Sequence, residues 1–168
     1  MLGLALILSA FVPPLPTPIG IGPRFHLNAV SPAVGRSAPI GRFRCRRRSG
    51  ARTVAHVELF ALRRVLILPA GIGTSRKRCS YAVRTREPTG VLEFVSAADL
   101  TLGDLFNVWG QPLTRTHMAG FRGEVRVYVA GHRRRGDPRS VPLTPHGQIV
   151  LEVGGYVPPH PSFLFPED

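Results

Sequence analysis

The chain has 168 residues, 43% of them hydrophobic, enough for one packed domain with a tail and too little for a second full domain. Its formal charge is +12, yet residues 1–55 carry eight arginines and no acid, which leaves 14 basic against 10 acidic residues in the remainder. The part able to fold is therefore only mildly basic, and its charge supports non-specific phosphate contact and nothing more.

The apolar run Leu2 to Val12 has the length of a signal-peptide core and falls short of the ~20 residues that span a bilayer. That length makes a leader the expectation; the lack of any Lys or Arg before the run speaks against it, and a misassigned start or plain extension is the alternative. From Pro13 to Thr53 the chain is rich in Pro, Gly, Ser, Ala and Arg and has no hydrophobic period, which predicts a tail that folding does not need. Its densest part is RFRCRRRSG, Arg42 to Gly50. Two cysteines, Cys45 and Cys79, permit one bridge, which export would allow. With Cys45 inside the arginine run, free thiols are the simpler expectation.

Order is expected from residue 54 to 155. His56 to Leu62 and Val65 to Leu68 read as a hairpin turning at Arg63 and Arg64, and PAGIG at Pro69 to Gly73 ends its second strand. Cys79 to Val83 reads as a short strand, Arg86 to Gly90 as a turn and Val91 to Val95 as a further strand. The next stretch has its start, buried face and stop written locally. Thr101 and Asp104 have capping-box spacing, while Leu102, Leu105, Phe106 and Trp109 form one apolar stripe and Gly110 and Pro112 end it. Leu113 to Gly123 reads as a loop, Val125 to Val129 as a half-buried strand and Gly131 to Pro142 as a basic loop. In the last strand, Gln148 to Val153, Val150 stands on the otherwise polar face, so both faces should be partly covered. The Pro-rich segment 156–168 is expected to lie extended on the domain.

This order predicts an α+β domain with a single mixed β-sheet, one packed helix and a β-grasp-like arrangement of hairpin, strands, helix and two strands. The phrases HVELF, VLILPAGIG, CSYAVRTREPTGVLEF, TLGDLFNVWGQPL and QIVLEVGGYVPP resemble a family of small exported actinobacterial proteins with no established activity. The resemblance implies a fold and an address outside the cytoplasm, and no reaction. Where its wider group carries a His-Thr-His-Asp run, this chain has Arg84, Thr85, Arg86 and Glu87. Only His56 matches a family histidine, so a metal role does not carry over.

The six histidines, His26, His56, His117, His132, His146 and His160, are scattered singly, and neither a metal nor another cofactor is expected. No GxSxG elbow occurs, and GIG at Gly71 to Gly73 lacks the helix and lysine of a phosphate cradle. The remaining candidates are basic: Arg84 and Arg86 beside one turn, with His132, Arg133, Arg134, Arg135 and Arg139 in one loop. If these loops meet, their planar donors would hold carboxylate or phosphate. The reading is a non-enzymatic binding or structural domain, secreted or attached to the cell envelope. Its partner would be an anionic small molecule, an envelope polymer or a protein. The alternative is a cytoplasmic accessory protein that touches nucleic acid through the Arg-rich tail.

Overall fold

The computed structural model describes residues 38–47, 50–75 and 78–165, so the expected leader and most of the expected N-terminal tail lie outside the described residues. The order is β1 (Arg52–Ala61), β2 (Arg64–Leu66), β3 (Thr74–Ser75), β4 (Cys79–Ser80), β5 (Val83–Arg84) and β6 (Val91–Val95), followed by helix α1 (Leu102–Trp109). Then come β7 (Leu113–Thr114), β8 (His117–Met118), β9 (Phe121–Arg122), β10 (Val125–Val129), β11 (His132–Arg134) and β12 (Gln148–Val153). The principal sheet runs β11-β10-β12-β1-β6-β5, with β2 on the second half of β1. β1 and β12 are parallel, and the other pairs are antiparallel. The domain is thus α+β, a mixed sheet with one α-helix among the described residues, as expected, with six strands after the helix where two were expected.

β1 organises the sheet because its ten residues serve three neighbours. Residues Arg52 to His56 pair with β6 and Leu59 to Ala61 with β2, while the opposite edge pairs with β12 from His56 to Ala61. Alternation along the strand sends Ala55, Val57, Leu59 and Ala61 to the core and His56, Glu58 and Phe60 to the other face. The β1–β2 turn falls one residue earlier than expected, with positive φ at Leu62 and Arg63 (51° and 63°). That pair of signs is what a two-residue hairpin needs to match strand twist, although neither residue is Asn or Gly.

The helix is built as its sequence reads. Thr101 Oγ1 accepts from the Asp104 amide at 3.4 Å, and Asp104 Oδ2 accepts from the Thr101 amide at 3.0 Å, closing the capping box. Gly110 at φ 74° ends the helix, its amide donating to Asn107 O while Gln111 N donates to Phe106 O. Leu102, Leu105, Phe106 and Trp109 are fully buried in a core shared with β1, β6, β10 and β12.

Four expectations are corrected. The stretch expected as one strand, Cys79 to Val83, splits: β4 pairs with β3, and β5 joins the principal sheet. The supposed loop Leu113 to Gly123 is a three-stranded ribbon, β7-β8-β9. The supposed basic loop contains edge strand β11 and a 3-10 turn, Pro138–Ser140. At the N-terminus, residues 38–47 belong to the packed unit, because Ile40, Phe43 and Cys45 pack against the core and Arg42 pairs with Asp104 at 3.2 Å. A boundary at 54 would also cut β1, which starts at Arg52.

Cys45 and Cys79 form a disulfide, so the expectation of free thiols is corrected too. Beside it Arg46 and Ser80 exchange backbone hydrogen bonds of 3.0 and 2.9 Å, and the Tyr81 hydroxyl donates to Ala38 O at 2.5 Å. Residues that lack a hydrophobic period are thereby held by a cross-link and an added bridge.

Candidate functional site

The sheet face opposite α1 holds the polar side chains of β1 and β12, and the segment from Tyr156 to Phe165 crosses it. Val150, Phe60 and Tyr128 form a small apolar cluster there, with Val157 of that segment packed on it. Val150 is fully buried, which accounts for the apolar residue at a polar-face position. Beside the cluster lies an ion pair whose acid is fully buried and whose base is partly exposed: the Glu152 carboxylate accepts from Val157 N at 3.1 Å and faces Arg126 Nη2 at 3.3 Å. Burial raises the Glu152 pKa, opposed by the Val157 amide and the Arg126 charge.

His56 sits where three strands meet, paired in register with Gln148 on one side and Val91 on the other. It is fully buried and stacks on Phe163 with ring centroids 3.7 Å apart and planes 14° apart. Its Nδ1 lies 2.7 Å from Gln148 Oε1 and its Nε2 lies 3.0 Å from Thr89 O. Burial lowers the His56 pKa against the pull of Gln148, Glu58 and Thr89, which favours a neutral ring. A neutral imidazole donating to Thr89 O needs a donor at Nδ1. Turning the Gln148 amide supplies one and gives its unpartnered Nε2 a role. Gly90 makes the close approach feasible, since a Cβ there would stand 2.6 Å from Val57 O and 2.8 Å from His56 Nε2. Glu58 lies 3.9 Å from His56 Nδ1 and accepts from His160 Nδ1 at 2.9 Å, tying the C-terminal segment to β1.

Towards the β5 edge the same face becomes cationic. The register sets Arg84 opposite Glu93, and the arginine donates from Nε and Nη2 to Glu93 Oε2 at 2.8 and 2.5 Å. Arg86 Nε takes the other carboxylate oxygen, while its side chain remains 69% exposed. Arg52 lies beneath, donating to Tyr81 O at 2.8 Å and to Ser80 Oγ at 3.1 Å. Its pKa is lowered by burial first and then by repulsion from Arg84. Together with Thr53, Val54 and His146 these residues line an open cleft of about 300 Å³ holding three arginines and one carboxylate. Two guanidinium groups, Arg86 exposed and Arg84 mostly buried, sharing one acid leave the rim positive, with planar donors for an oxyanion.

The condition on which a shared basic site depended is not met: the two basic segments lie apart. Arg84 is on edge strand β5 and His132, Arg133 and Arg134 are on β11 at the other edge of the sheet. Arg133 pairs with Glu124 at 2.7 Å. Arg134 and Arg135 are exposed, and Arg139 donates to Asn107 Oδ1 at 2.9 Å beside α1. Sequence reasoning missed Arg52, placed in a supposed tail, and Glu93, whose role depends on strand register. His56, Glu58, Gln148 and Glu152 were findable as polar positions alternating with core residues in β1 and β12.

No family model, curated protein or solved structure matches the chain. Among the described residues no group of three or more His, Cys, Asp or Glu side chains is arranged to hold a metal ion. No helix among them is long and apolar enough to cross a membrane.

Proposed function

We propose that this protein is a non-enzymatic binding module, secreted or held at the cell envelope, which takes an oxyanion in the cleft at Arg84 and Arg86. The observation that carries the reading is the pair of guanidinium groups on the single carboxylate of Glu93, in an open cleft of about 300 Å³. Such forks bind carboxylate and phosphate through two parallel hydrogen bonds, which a dispersed surface charge does not provide. The Cys45–Cys79 bridge supports an address outside the cytoplasm, where disulfides persist. The family resemblance noted above points to the same address.

Titration calorimetry with inorganic phosphate at fixed ionic strength tests the site. Replacing both Arg84 and Arg86 by Gln should weaken binding at least tenfold. Replacing Arg133 and Arg134 at the opposite edge should leave it within about twofold, as expected for screened surface charge. Equal effects from the two pairs would sink the reading. A steeply salt-dependent affinity for unrelated DNA duplexes, lost with the arginines of the 42–47 run, would instead favour the nucleic-acid accessory role.

A further inference from the structure

The cationic cleft does not end at Glu93. A second depression of about 270 Å³ adjoins it, sharing Arg86 and Glu93 and adding Val91, Thr89, Phe163 and Leu164. Glu87 is the other acid on its wall. One end of the combined groove is therefore set with arginines, and the other is walled by two large apolar side chains of the C-terminal segment. Phe163 is fixed there by its stack on His56 and by an edge contact with Phe165 at 5.0 Å. Leu164 is 69% exposed, an apolar side chain held in water beside Arg86. Neither depression alone exceeds the bottom of the range for small-ligand sites, about 300–1,000 Å³, whereas the joined groove falls inside it.

We propose that the ligand is a single anionic amphiphile, with its phosphate or carboxylate head on Arg84 and Arg86 and a short aliphatic or aryl body against Val91, Phe163 and Leu164. This rests on the oxyanion reading above and adds the class of molecule. Charge fixes the direction in which it lies: Glu93 lines both depressions, but Glu87 lines only the apolar one and repels an anion from that end, so the head belongs at the Arg84 side. The hydrophobic end then gains affinity with each methylene removed from water.

Calorimetry with inorganic phosphate and then butyl, hexyl and octyl phosphate, all below their micelle concentrations, separates the two readings. Affinity should rise about two- to fourfold per methylene until the groove is filled. Leu164→Ser, at a position too exposed to matter for folding, should flatten that series and leave inorganic phosphate binding unchanged. Phe163→Ala should do the same more strongly, and Arg86→Gln should lower every member by a similar factor. If phosphate binds and the series is flat, the amphiphile is refuted while the oxyanion site stands. Failure of phosphate and all alkyl phosphates to bind would remove both. A rising series that neither Leu164→Ser nor Phe163→Ala alters would put the chain elsewhere and overturn the proposal.

Discussion

On one face of the sheet, α1 buries Leu102, Leu105, Phe106 and Trp109 against Val57, Leu59, Leu92, Phe94 and Leu151. On the other, an irregular segment covers His56, Glu58, Gln148 and Glu152 around a cluster of only three buried apolar residues. The same strands supply both, since period-two alternation sends successive side chains to opposite sides. The helix face gains from removing apolar area from water and has few directional demands. Each buried polar group on the other face must find a partner instead, so its cover works through particular bonds such as Val157 N to Glu152 and His160 to Glu58. Stability should therefore concentrate on the helix face and adaptable chemistry on the other.

The largest effect should come from Trp109→Ala, which empties the centre of the helix contact. We expect a loss of about 3–5 kcal/mol in denaturant unfolding. A loss no greater than that caused by removing the C-terminal segment would abolish the contrast between the faces.

Replacing Cys45 and Cys79 by Ser extends the comparison to the segment clipped beside the core. With a sequence separation of 34, the bridge should contribute about 2–4 kcal/mol by restricting the unfolded chain. The arginines at 42, 44, 46 and 47 should then become rapid trypsin sites. Unchanged proteolysis would mean that packing of Ile40 and Phe43 holds the segment without the cross-link.

Ending the chain at Gly155 strips the polar face and should cost roughly 1.5–3 kcal/mol, the scale of re-exposing one large apolar side chain. It should also change the pH profile. In the intact chain burial lowers the His56 pKa from 6.5, so below that pH the unfolded chain binds a proton that the folded one refuses. The stability linked to this group is complete above 6.5 and is lost as pH falls through and below that value. Truncation should return His56 towards its ordinary value and flatten this part of the curve. An imidazole titration by NMR identical in the two forms would show that the segment does not seal His56.

The smallest effect should follow Arg133→Gln at the β11 edge, where both partners of the ion pair are well exposed. We expect a change within about 0.5 kcal/mol. A larger loss in thermal unfolding would show that this edge carries more of the fold than its exposure implies.

What the sequence determined by itself is local. The helix from Thr101 to Gly110, the first hairpin and the alternation in β10 and β12 were legible because caps, turns and periodic patterns act between residues a few positions apart. The covered polar face was legible in part, from the single misplaced Val150. Tertiary structure decided the remainder. His56 meets Gln148 across 92 residues only because β1 and β12 pair in parallel, and Arg84 meets Glu93 only in the register of β5 and β6. The same pairing parted the two basic segments by placing β5 and β11 at opposite edges. A residue-by-residue reading counts charges without knowing which will converge, because convergence is set by long-range strand order, where a shift of one residue sends a side chain to the other face.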